Sequence, residues 1–170
     1  MSSNKTNLKK LTAGAMMAAL SIILERVISL MPASNIMDIR ISLSNVPLIL
    51  AGILASPLVG GIAGVVSDIV GCFISGYAPF PILTLAPFVM GFLPGFIIKN
   101  DTKSFVKLVL AIFVTHLASS VLITTYGLSV MRGVAFIPML ITRLPSMGIN
   151  LAIDMVLVYL LLRTPVTKIR

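Results

Sequence analysis

Residues 58–75 read Leu-Val-Gly-Gly-Ile-Ala-Gly-Val-Val-Ser-Asp-Ile-Val-Gly-Cys-Phe-Ile-Ser, eighteen residues with one charge, Asp68. As a helix rising 1.5 Å per residue this stretch is about 27 Å long, close to a hydrocarbon core of about 30 Å. The pattern repeats on both sides of it. Further apolar runs cover 8–31, 43–56, 82–98, 105–126 and 137–162, so six candidate helices fill most of the chain. Isolated charges recur inside them: Arg26, Arg143 and Asp154 join Asp68. A charge at bilayer depth costs roughly 2.5 kcal/mol or more, so it faces a partner, a water-filled cavity or a ligand.

Composition agrees with that reading. The 170 residues are 58% hydrophobic and 11% charged, with a mean hydropathy of +1.09, whereas soluble domains average about 45–50% apolar and about 25% charged. The expected fold is all-α and integral to the membrane: a single domain over 1–170, built as a six-helix transmembrane bundle. No length is left for a soluble catalytic or nucleotide-binding domain. The second run, about 14 residues, would reach only about 21 Å, so that helix is expected to be short and tilted, partly re-entrant, or buried among neighbours.

The net charge of +8 is distributed as a topology signal. Six spans put Lys5, Lys9, Lys10, Lys99, Lys103, Lys107, Arg163, Lys168 and Arg170 on one side, and leave Arg40 and Arg132 in the opposite loops. Basic residues collect on the cytoplasmic side, so both termini are expected there. The same distribution argues for a lipid bilayer and against nucleic acid as the partner. The basic start followed by apolar 11–24 resembles a signal peptide, but no small-x-small cleavage site follows, and the segment reads as an uncleaved first helix. Cys72 is the only cysteine, so an intrachain disulfide is excluded.

Enzyme chemistry has no foothold. The chain lacks a phosphate-cradling Gly-Lys-Ser loop, a His-Glu-x-x-His pair and a nucleophile elbow, and one histidine with one cysteine cannot supply ordinary metal coordination. No catalytic residue, metal or cofactor is expected. Counting inward from the span ends instead places Arg26, Asp68, Thr84, Tyr126 and Arg143 in one outer-half layer, where a cavity open to the outside would collect them. Arg143, Met147, Asn150 and Asp154 follow i, i+4, i+7, i+11 on one helix face, and Gly64, Asp68, Gly71 and Ser75 do the same. Either stripe suits a ligand surface or a hydrogen-bonded seam between helices.

Asp68 itself suits a ligand contact or an Arg-paired structural carboxylate, whereas Asp154 and His116 read as structural. Pro87 and Pro94 should bend the fourth span. Loops 32–42, 76–81 and 127–136 could form a lid or serve as connectors. In the first span, Gly14-xxx-Ala18 and Ala15-xxx-Ala19 are two small-residue pairs, either of which permits close packing on a partner helix.

Several stretches carry a family likeness: Ile41-Ser42-Leu43-Ser44-Asn45-Val46-Pro47-Leu48-Ile49-Leu50-Ala51-Gly52, Pro57-Leu58-Val59-Gly60-Gly61, Gly64-xxx-Asp68-xx-Gly71, and the aromatic–proline loop before Thr84-Leu85. With the short six-helix plan they resemble the substrate-binding S components of energy-coupling factor (ECF) vitamin transporters. Thr124-Thr125-Tyr126-Gly127-Leu128 and Leu140-Ile141-Thr142-Arg143-Leu144-Pro145 through Asn150 look most like the folate-specific members. Ser56-Pro57 stands where the family usually has Gly-Pro, and Arg143-Leu144-Pro145-Ser146-Met147 departs from an Arg-Leu-Ile-Lys-Asn-like run. Riboflavin and pantothenate therefore stay open as substrates, as does a structural membrane protein with buried charge pairs.

The resemblance implies a subunit of the bacterial cell membrane that is not an enzyme. It would capture a water-soluble vitamin outside, dock on a membrane coupling subunit, and leave ATP to two ATPase subunits. It implies that Asp68 accepts from a pterin's amino–ring-NH edge. Arg26, Arg143 and Asn150 would donate to the ring, with Thr84 beside them, and Phe80 or Tyr126 would stack on it. Arg40 and Arg132 at the mouth would favour an anionic tail. Docking falls to Gly14 with Ala18 or to Ala15 with Ala19.

Overall fold

A computed structural model describes residues 2–29, 42–76, 78–98 and 105–163. Among them every regular element is helical: α1 (Ser2–Ser29), α2 (Asn45–Leu54), α3 (Pro57–Ile74), α4 (Pro81–Ile97), α5 (Phe105–Arg132) and α6 (Phe136–Arg163). By length and composition α3, α5 and α6 can cross a membrane, and α2 and α4 are apolar but shorter.

Local chemistry sets the ends. Ser56 caps α3 in extended conformation, its hydroxyl accepting from the Val59 N–H at 3.2 Å, with Pro57 opening the helix. Proline in the first turn loses no hydrogen bond, because that N–H has no partner inside the helix. Pro81 opens α4 the same way. Helix α5 runs to Arg132 and ends at Gly133, φ +65°, a backbone conformation that suits glycine. The expected connector 127–136 is therefore helical over its first six residues. Gly127 is a close contact with α4 rather than a stop signal, since a Cβ there would stand 2.7 Å from Leu83 Cδ2.

Helices α2, α3 and α4 meet backbone to backbone. A Cβ on Gly60 would lie 2.5 Å from the Gly52 Cα and from the Gly91 carbonyl oxygen, so only glycine permits this approach. Helix α2, ten residues and about 15 Å long, is buried from Val46 to Gly52. Its shortness matches expectation, and its place is inside the bundle. Val46, Ile49 and Leu50 there join Met90, Leu108, Ile112 and Val158 in the main core.

Packing joins α1 to α2 and α3, α2 to α3, α4 and α6, α3 to α4, α4 to α5, and α5 to α6. Among the described residues α1 and α6 do not pack substantially on each other. Lys107 and Arg163 mark the joined ends of α5 and α6, where Phe105 meets Tyr159 edge-on at 5.0 Å and the Arg163 guanidinium lies 4.7 Å above the same ring.

Candidate functional site

The polar stripe of α3 is shared between two neighbours. On one side Arg26 of α1 donates to the Gly71 carbonyl and the Ser75 hydroxyl. On the other, Thr84 of α4 donates to Asp68 Oδ2 at 2.7 Å, with a longer approach of 3.3 Å to the Phe80 carbonyl. A hydroxyl has one proton, and the shorter bond to the carboxylate takes it. Glu25 joins the group: its Oε2 and the Arg26 Nη2 both lie about 4 Å from where a Gly71 Cβ would be. Cys72 sits within electrostatic reach of Asp68, Glu25 and Arg26. Asp68, Thr84 and the Phe80 backbone thus form one half-buried polar cluster between α3 and α4, while Arg26 meets α3 separately at Gly71 and Ser75.

Asn150 of α6 belongs to a second group. Its Oδ1 accepts from the Ser42 N–H at 2.8 Å, Ser42 and Ser44 share a hydroxyl–hydroxyl bond of 2.8 Å, and the Ser21 hydroxyl of α1 donates to the Ser44 carbonyl at 2.8 Å. One turn along α6, Asp154 is fully buried; its Oδ2 bonds His116 Nε2 at 2.8 Å and accepts from Asn45 Nδ2 at 3.1 Å. The α6 stripe is therefore a seam at Asn150 and Asp154. Arg143, nearer the start of α6 on the same face, is half-buried. Tyr126 is 54% exposed on α5. Arg40 and most of loop 32–42 lie outside the described residues.

An apolar groove of about 450 Å³ lies between α3 and α4, lined by Val65, Ile69, Pro79, Leu85 and Phe88 with Thr84 as its polar member. It shares only Thr84 with the polar cluster, so it is distinct from the polar hollow expected to gather the charges.

The two small-residue pairs of α1 part company. Gly14 is buried against Val59, where a Cβ would fall 2.2 Å from Val59 Cγ1, and Ala18 packs with Leu48 and Ala63. Both serve the chain's own interior, which removes them as a docking surface in this conformation. Ala15 and Ala19 are exposed. Arg26 lies eleven residues after Ala15, at nearly the same angle around a straight helix, so an inward Arg26 would carry Ala15 and Ala19 inward with it. Its long side chain instead reaches Gly71 and Ser75 from the flank of a stripe made by Gly14, Ala18 and Ser21. Ser21, Ser42, Ser44 and Asn45 were missed as polar anchors, although Ser42, Ser44 and Asn45 fall in the quoted 41–52 stretch and Ser21 stands in register with Gly14 and Ala18.

Residues 9–162 match the family described as ECF transporter, substrate-specific component. The chain belongs to this family. As a member it is the substrate-specific component of a membrane transporter. It is 29% identical over 146 residues to "Folate transporter FolT" of Clostridium novyi (strain NT), covering 85% of this chain and 83% of that protein. Its fold is similar to that in "Crystal structure of FolT bound with folic acid", with TM-score 0.74 and 24% identity over 90% of this chain and 92% of that one.

Proposed function

We propose that this S component captures folates outside a bacterial cell, as a single six-span domain over 1–170 with both termini in the cytoplasm. The observation that carries the substrate assignment is its likeness to a folate transporter over 85% of its length. The Asp68–Thr84 pair supports it chemically. A pterin offers an amino group beside a ring N–H, and a carboxylate can accept both, because each oxygen has two lone pairs and Thr84 uses only one of them. Arg26, Arg143 and Asn150 donate to the ring's carbonyl and nitrogens. Phe80 or Tyr126 stacks on its face, and Arg40 and Arg132 draw in the anionic tail. The basic end marked by Lys107 and Arg163 supports the cytoplasmic orientation.

Transport then depends on other chains. The exposed Ala15-xxx-Ala19 face of α1 docks on a membrane coupling subunit, small side chains allowing close helix approach. Two ATPase subunits hydrolyse the ATP, and this chain needs no cofactor or metal of its own. The test is equilibrium binding of the purified chain to folic acid, riboflavin and pantothenate in parallel. Folic acid should be retained selectively; equal binding of the three, or binding of none, refutes the assignment.

A further inference from the structure

Helix α5 changes its winding just after His116, and the change selects which residue meets α4. Phe105–His116 is α-helical, Leu117–Thr124 winds as a π-helix, and Thr125–Arg132 returns to α. The threonines record the difference. Thr115 Oγ1 donates four residues back, to the Ala111 carbonyl at 2.6 Å. Thr124 and Thr125 donate five residues back, to the Ser119 and Ser120 carbonyls at 2.8 and 2.9 Å.

A π-bulge puts an extra residue into a helix, and such bulges recur at functional sites. Each α-helical residue turns the chain by about 100°, so rewinding this segment as α-helix would swing everything beyond it by about that angle. Tyr126 would then point where Gly127 points now. That direction is crowded by the side-chain ends Leu83 Cδ2 and Ile82 Cγ2, 2.7 and 3.2 Å from where a Gly127 Cβ would be, so a ring turned there would pack against α4 and not against a ligand. Upstream, His116 is held by Asp154, which keeps that half of the helix from absorbing the turn. Thr125, fully buried now, would rotate into the exposed direction.

We infer that the Leu117–Thr124 segment is a positioning insert for Tyr126. Thr124 and Thr125 hold the extra residue in place; it seats Gly127 on α4 and turns the Tyr126 ring away from α4 to where it stacks on the ligand. The inference rests on the folate reading above, with Tyr126 as a contact of the bound ring.

The T124V/T125V double variant removes both five-back bonds and should weaken folic acid binding about tenfold, the scale of losing one aromatic contact. Deleting Leu122 in the same background lets the remaining seven residues wind as α-helix while Tyr126 keeps its present direction, and should restore binding. Unchanged affinity in the double variant, or a loss that the deletion leaves uncorrected, overturns the inference. A second measurement needs no ligand and covers a deletion that fails to fold. The chain contains no tryptophan, so Y126W provides a single indole. Its emission should shift blue when T124V/T125V is added, as the ring turns against Ile82 and Leu83; identical spectra overturn the inference. Full binding by Y126A would sink this inference and Tyr126's place in the site, while binding of folic acid by no variant, wild type included, sinks the substrate assignment.

Discussion

Gly60→Ala, set against Gly148→Ala, tests whether α2, α3 and α4 are held at backbone contact. At Gly60 the new methyl would stand 2.5 Å from the Gly52 Cα and the Gly91 carbonyl oxygen, and 2.6 Å from the Gly52 nitrogen. Carbon atoms sit comfortably at about 3.5–4.0 Å, so the helices must separate by about 1 Å. All three obstructing atoms are backbone, so no rotamer change can relieve them. Overpacking of this kind costs about 1–3 kcal/mol, and the loss should reach the upper end because two helix contacts open at once. Gly148 is also helical, yet has nothing within 4 Å of its added methyl, so the same substitution there should be neutral or stabilise by up to about 1 kcal/mol. Thermal unfolding in detergent separates the two. At about 2–4 °C per kcal/mol for a chain of this size, Gly60→Ala should lower the midpoint by about 6–12 °C. A Gly60→Ala protein as stable as wild type, or an equal loss at Gly148, refutes the close-approach account.

Three further outcomes are expected. Asp154→Ala strips the shared acceptor from His116 and Asn45, at about 1–3 kcal/mol for the orphaned buried His116 and less for the half-buried Asn45. Asp154→Asn keeps an acceptor and should lose less, so equal midpoints for the two variants would show that the bonds contribute little. Thr84→Val should weaken folic acid binding about tenfold, since a hydrogen bond to a charged group contributes roughly 1.5 kcal/mol or more, while Thr84→Ser retains affinity; titration of the purified variants checks both. Ala19→Leu should leave folic acid binding intact and impair assembly with the coupling subunit, whereas Ala18→Leu should destabilise the chain itself, as read by co-purification and by unfolding.

The helical class was legible because apolar runs declare themselves, and the starts of α3 and α4 because Pro57 and Pro81 punctuate them. The far end of α5 was misjudged because Gly127 looks like a terminator, and only the neighbouring Leu83 reveals it as a contact. At the candidate site, Asp68 and Thr84 could be placed at one depth by counting residues, but their hydrogen bond depends on the angle between α3 and α4. Periodicity could not settle the register of α1, because Gly14 and Ala15 begin equally good small-residue pairs and Arg26 is long enough to reach inward from either. His116 and Asp154, thirty-eight residues apart, could each be read as structural, but nothing in their spacing paired them.

Among the described residues, the four from Ser42 to Asn45 tie together α1 and α6, which otherwise pack little on each other. Ser21 of α1 holds the Ser44 carbonyl, while Asn150 and Asp154 of α6 hold Ser42 and Asn45. Greasy interfaces slide, because one methyl serves about as well as the next; directional polar bonds stay whole or snap. Rocking α1 against α6 therefore strains a small knot of such bonds at the threshold of α2, giving the movement a definite breaking point rather than a smooth glide.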